Sequence, residues 1–281
     1  ERMASLLALF SSVLWGSADF FGGYLTKKHK ALAVTAASQV FGLILGVALV
    51  LISGNFISPN LNWNGYLIPG ILSAIAGFFG LAVFYQGLAT GSMGVISSIA
   101  SLGALIPIAI AFINGERPSS LQIVGMAIAL IGAFCASGPE VLKGSSLKPI
   151  IYGIIAMFLF GTAISFMVIG SKVSSILTMT TMRVFTVSVA LIVAVLTRNF
   201  GSFKKKEVLP LVYMGSADFL ANLFLGIATT KGLVSIAVVL GSLVPIATAV
   251  LAFRILHERL HKIQYLGIFL AIAGVALTSV A

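Results

Sequence analysis

Three charged side chains stand inside otherwise apolar stretches of this 281-residue sequence: Asp19, Arg183 and Asp218. The two carboxylates share a pentapeptide, Gly-Ser-Ala-Asp-Phe, at residues 16–20 and again at 215–219. A carboxylate in such a place can contact a cationic group or carry a proton, and removal from water makes it hold that proton more tightly. Arg183 can do the converse and grip a carboxylate through two parallel N–H···O bonds; its other option is to snorkel to a nearby interface. Asn222 lies one helical turn beyond Asp218, with Gly215 and Gly226 continuing that face. Ser12, Trp15, Asp19 and Gly22 make a comparable stripe. Both stripes read as walls of a cavity. The competing reading pairs each carboxylate with a neighbouring helix for structure alone, or turns Asp19 toward headgroup-level lysines. With an acid and a base both available, a zwitterion such as an amino acid is the most economical ligand.

Pro107 and Pro245 also lie inside apolar stretches. A proline removes the hydrogen bond to the carbonyl four residues earlier and crowds that turn. The crowded residues are Gly103 and Gly241, so each pair predicts a kinked helix with a bare carbonyl, fit for a gate or a coordination point. A plain packing kink is the alternative. Gly125, Ala129, Gly132 and Ala136, with Gly267, Ala271 and Gly274, form small-residue faces of the kind that pack helix on helix. His257-Glu258-Arg259-Leu260-His261 fits H-E-x-x-H, the zinc-protease signature, but falls between apolar stretches, and His29 is the only other histidine. No metal and no catalytic group is expected, so the chain reads as a non-enzyme. It has no G-x-x-x-x-G-K-[ST] loop, which argues against ATP-driven pumping. Its single cysteine, Cys135, has no partner in the chain.

The elements that must position these groups are membrane helices. The chain is 59% apolar and 9% charged, against about half and a quarter in an ordinary globular protein, and its mean hydropathy is +1.13. Ten stretches approach the ~20 residues that carry a helix across a bilayer core: roughly 3–25, 32–53, 66–88, 93–113, 121–137, 149–169, 176–196, 208–229, 233–255 and 262–281. An all-α membrane protein follows, because an open strand edge cannot be satisfied in lipid. The first stretch is too long for a signal peptide and carries Asp19; since the sequence opens on Glu1, residues ahead of it are expected. The net charge of +10 is sorted by position. Twelve of the seventeen Lys and Arg fall in odd-numbered connections and four on the other side, with Arg183 inside a span. That bias puts the odd connections in the cytoplasm and both termini outside. It makes anionic lipid headgroups the partner of the basic face and excludes nucleic acid.

The chain also repeats itself. Residues 94–107 and 232–245 register glycines, a serine, a Leu-Gly pair and the proline. Glu116-Arg117 answers Glu258-Arg259, Trp15-Gly16 answers Phe160-Gly161, and Gln39-Val-Phe answers Arg183-Val-Phe. Gln39 thereby becomes a candidate for the same site as Arg183. Residues 1–138 are expected to form one five-helix repeat and 149–281 the second. An odd number of spans turns the second unit upside down, the architecture of secondary transporters that bind substrate near the midplane.

Trp15-Gly-Ser-Ala-Asp-Phe-Phe-Gly-Gly23, the Gly-Glu-Arg-Pro118 ahead of the fifth span and the His-Glu-Arg-Leu260 ahead of the tenth resemble the EamA-type drug/metabolite transporters. The resemblance covers essentially the whole chain. It implies a ten-helix, inverted-repeat carrier whose central cavity is lined mainly by helices one, three, four, six, eight and nine. Substrates of such carriers include amino acids, nucleosides, sugars and other small metabolites. Members of known fold generally have cytoplasmic termini, whereas the lysines here predict the reverse. The expectation is a secondary transporter in a prokaryotic cell membrane, moving a small polar metabolite by alternating access. It needs no bound cofactor, a proton being the coupling partner the carboxylates allow, and acts as monomer or homodimer. A carrier of sugars, nucleosides or cationic drugs, a channel or scramblase, and a metalloenzyme built on the H-E-x-x-H segment are the alternatives.

Overall fold

The computed structural model describes residues 2–89, 93–137, 147–198, 202–255 and 259–280. Among them every regular element is a helix: α1 (Arg2–Thr26), α2 (Ala31–Ser53), α3 (Leu67–Ala89), α4 (Met93–Ser101), α5 (Leu105–Ile113), α6 (Ser120–Ala136), α7 (Leu147–Thr197), α8 (Lys205–Lys231), α9 (Val234–Gly241), α10 (Val244–Ile255) and α11 (Lys262–Val280). Among the described residues, eight helical stretches are long and apolar enough to cross a membrane, and α6, at 17 residues, is a shorter apolar helix. Large apolar side chains such as Leu51, Ile52, Phe269 and Ile272 stay more than 60% exposed, as a surface solvated by lipid requires.

Three spans differ in detail from the sequence expectation. Residues 170–175, read as a loop between two helices, lie within α7, which runs for 51 residues with one non-helical residue, Ser174 (φ −162°, ψ 114°). A straight helix of that length would reach about 75 Å, far beyond one bilayer core. The Ser174 hydroxyl accepts a hydrogen bond from the N–H of Leu177 (3.3 Å) and so caps the helix that resumes after the break. The stretch 93–113 is interrupted by a 3₁₀ turn at Leu102–Ala104, between α4 and α5. The stretch 233–255 is interrupted at Ser242 and Leu243, between α9 and α10. Both interruptions fall two to five residues ahead of the buried prolines, Pro107 and Pro245, where the missing N–H and the ring disturb the preceding turn.

Close approach between helices is made at glycines. The small-residue faces of α6 and α11 meet each other. A Cβ on Gly132 would strike the backbone of Ala271, one on Gly267 that of Ala136, and one on Gly274 that of Ala129. On α8, a Cβ on Gly215 would run into the carbonyl oxygen of Ser38 on α2. Gly215→Ala must therefore push α8 off α2, and overpacking of this kind costs about 1–3 kcal/mol. Thermal unfolding in detergent checks this: the variant is expected to melt several degrees below the parent.

Two apolar clusters form the core. One gathers Leu25, Val34, Leu81, Tyr85, Leu88 and Met214, where α1 ends and α2 begins. The larger holds Ala4, Ala8, Met179, Phe219 and the α9 run Ile236, Ala237, Val238, Val239 and Leu240.

Candidate functional site: a charged central cavity

Asp218 organises the centre of the molecule. Gly215, one turn earlier on α8, lets that helix approach α2 closely, and the carboxylate then meets donors from three other helices. Its Oδ2 accepts from Nη2 of Arg183 on α7 (2.7 Å) and Nε2 of Gln39 on α2 (3.2 Å). Its Oδ1 accepts from the indole N–H of Trp15 on α1 (3.0 Å) and from Nδ2 of Asn222 (3.2 Å), which also donates to the Asp218 carbonyl (2.7 Å). Each oxygen thus accepts two hydrogen bonds, and the side chain of the partner cation is only 4% exposed. The pair is a buried salt bridge within a polar network.

This geometry revises two readings. Arg183 does not snorkel: it is buried (3% exposed) and spends Nη2 on Asp218. Its Nε is buried without a partner among the described residues, against Gly42 of α2, whose missing side chain leaves it room. Asp218 is likewise not a free acidic pole, because its charge is already matched by the arginine. Five of the six expected substrate residues, Trp15, Gln39, Arg183, Asp218 and Asn222, are one hydrogen-bonded cluster.

The sixth, Asp19, behaves differently. It sits one turn past Trp15 on α1 and lines the same cavity, yet it makes no hydrogen bond and no ion pair among the described residues. It faces the cavity rather than the lysines beyond the end of α1. Two carboxylates and one guanidinium therefore line one cavity, and one carboxylate is left without a cationic partner among the described residues.

The cavity has a volume of about 130 Å³, the scale of an engineered cavity of about 150 Å³ that holds benzene. Gly103 and Gly241, at the two helix breaks, form part of its wall. Pro107 and Pro245 stand behind them in α5 and α10. The rest of the wall is largely apolar, with Phe78 and Phe84 from α3 and Phe160 from α7, and small hydroxyls from Ser97, Ser101 and Thr186. Sequence reasoning missed these. Thr186 is three residues from Arg183 and so shares its face, a signal that was available; the α3 aromatics are indistinguishable in sequence from lipid-facing ones. Among the described residues no group of three or more His, Cys, Asp or Glu gathers as a metal site would need. His257 and Glu258 of the H-E-x-x-H segment lie outside the described residues.

A family model described as the EamA-like transporter family matches the sequence twice, over residues 2–138 and 147–280. The chain belongs to the EamA-like transporter family. With its apolar helices, that makes it an integral membrane protein, and the family is one of membrane transporters of small molecules rather than enzymes. No curated protein matches the sequence. Twenty-nine solved chains match its structure. One of them, described simply as a crystal structure of protein, is 16% identical with a TM-score of 0.79, over 99% of this chain and 96% of that one. At such identity the likeness speaks for the fold alone.

Proposed function

We propose that this protein is a secondary transporter that carries a small amine-bearing metabolite, an amino acid or similar zwitterion, across the cell membrane by alternating access. The observation that carries the reading is the unpaired carboxylate of Asp19 in a cavity whose other acid is already neutralised. Asp19 receives the substrate's ammonium group. The edge of Arg183 that Asp218 does not occupy receives a carboxylate, and Asp218 holds the guanidinium in place. The apolar body of the substrate rests against Trp15 and the phenylalanines. A proton competes with the ammonium for Asp19, which couples transport to proton exchange.

Alternating access follows from an inverted repeat, residues 1–138 against 149–281, with ten crossings once α7 is divided at Ser174 and the α4–α5 and α9–α10 pairs each count as one. Two correspondences support that symmetry. The repeat counterparts Gln39 and Arg183 donate to the same oxygen of Asp218. Gly16 on α1 packs on the start of α10, at Val244 and Ala247, while its counterpart Gly161 on α7 packs on the α4–α5 break, at Gly103 and Ile106. Each half thus inserts a glycine into the other's kink. The basic ends of the helices face the cytoplasm and its anionic lipids.

The second carboxylate, beside an acid that Arg183 already matches, favours a second reading, in which the substrate is a plain monocation. Purified protein in liposomes separates the two, using counterflow of labelled leucine and phenylalanine beside their decarboxylated amines and deaminated acids. Saturable counterflow of the amino acids, with the acids inert, is expected. Movement of the amines alone would select the monocation. Counterflow confined to compounds without an ammonium group, or flux that never saturates, would overturn both.

A further inference from the structure

Two carboxylates outside the cavity tie the halves of the chain together, one at each end of α1. Glu116 stands in the turn after α5, where Gly115 takes a left-handed conformation (φ 97°) that few other residues adopt. That turn aims the carboxylate at the N-terminus of α9, 118 residues away in sequence. Its Oε1 accepts from the N–H of Val234 (2.6 Å) and its Oε2 from the N–H of Ser235 (3.0 Å). Leu233, at the N-cap position of α9, supplies no side-chain cap of its own. Glu116 therefore satisfies two of the orphan donors of that helix end and complements its dipole. A Cβ added to Gly232, just before this helix end, would strike the side chain of Ala4 near the start of α1.

The second tie lies beyond the other end of α1. His29, in the turn between α1 and α2, donates from Nε2 to Oε2 of Glu207 on the first turn of α8 (3.0 Å). Its ring packs on Phe203, with 4.7 Å between centroids. Glu207 also accepts from the N–H of Lys204 (2.8 Å) and so caps its own helix. The two contacts are separated by the whole of α1, about 37 Å at 1.5 Å per residue, and Trp15 and Asp19 lie between them.

Each tie joins a connection of the first half to the start of a helix in the second half, and each of those helices contributes to the cavity wall: Val238 and Gly241 from α9, Asp218 and Asn222 from α8. We infer that Glu116 and the His29–Glu207 pair are the two locks of the transport cycle. Glu116 holds the cavity shut toward the start of α1, and His29 with Glu207 holds it shut toward the end of α1. Both are engaged in this structure. Opening to one side releases one lock and keeps the other. This rests on the alternating-access reading above, and its test needs no substrate.

A cysteine at the cavity wall, Ser242→Cys in a Cys135→Ser background, reports access through its rate of labelling by a membrane-impermeant maleimide, added to one side or the other of sealed vesicles. Glu116→Gln keeps one acceptor but turns an N–H donor toward another donor. It is expected to raise labelling from the side of the α1 start by about tenfold, the weight of one charge-assisted hydrogen bond on an equilibrium, and to lower it from the opposite side. His29→Ala leaves the Glu207 cap intact and is expected to shift labelling in the opposite sense. Opposite shifts are what a purely structural cap does not produce. Labelling unchanged in both variants, or shifted in the same direction, overturns the locks even if counterflow succeeds. Should Glu116→Gln fold poorly, Glu116→Asp, which retracts the carboxylate by one methylene, carries the same expected sign.

Discussion

Asp218→Asn is expected to unfold far more readily than the parent, with a melting temperature in detergent lower by roughly 10 °C. The amide keeps the shape of the side chain and can still accept from Trp15. It has no charge to set against Arg183, whose side chain is 4% exposed and donates its only hydrogen bond among the described residues to that carboxylate. Breaking a buried pair from one side costs about 3–5 kcal/mol, because the remaining ion stays desolvated and unmatched. The amide's own N–H₂ would also point at the donors of Gln39 or Asn222, which now share the carboxylate oxygens. Adding Arg183→Gln to Asp218→Asn removes the stranded charge and should recover most of the loss, and a double-mutant cycle measures that coupling. If Asp218→Asn alone melts within 2 °C or so of the parent, the pair contributes little to stability and Asp218 returns to the list of free substrate ligands.

That prediction reverses the role the sequence suggested for Asp218, and the reason is instructive. Sequence shows which charged residues are set in apolar stretches, because the stretches are long and the charges few. It also shows that Gln39 and Arg183 occupy matching repeat positions. What it cannot show is which charges neutralise one another, since that depends on helix rotation about the long axis and on which helices touch. Asp19 and Asp218 sit in identical pentapeptides. The glycine of one packs on α10 and the glycine of the other on α2, so one aspartate meets an arginine and the other meets an empty space. The helical stretches were legible because lipid leaves the backbone little alternative. The continuity of α7 was not, since a break confined to Ser174 and a short loop leave the same polar signature at residues 170–175. The kinks at Pro107 and Pro245 were legible because proline acts locally. The tie from Glu116 to α9 was half visible: the Glu-Arg repeat marked the residue, but its partner is a pair of backbone N–H groups, which no side-chain pattern announces.

Asp19→Asn should do the opposite of Asp218→Asn, leaving the fold and weakening transport. Asp19 has no hydrogen bond to lose among the described residues, and a carboxylate without a partner away from water is a burden on the folded state rather than a support. The variant is therefore expected to melt at or slightly above the parent temperature. Its substrate contact is another matter. A hydrogen bond between charged groups contributes about 1.5–3 kcal/mol, so replacing the carboxylate by an amide should raise KM for an ammonium-bearing substrate by about 10- to 150-fold. The amide also takes up no proton, so whatever pH dependence the parent's counterflow shows should flatten in the variant. Asp19→Glu, which restores the charge on a longer arm, should recover part of the rate and the pH response together. The joint pattern of unchanged melting, weakened uptake and a flat pH profile separates a substrate-contacting acid from a structural one. Counterflow by Asp19→Asn at the parental rate and with the parental pH profile would remove Asp19 from the mechanism, and with it the reason for assigning the substrate an amino group.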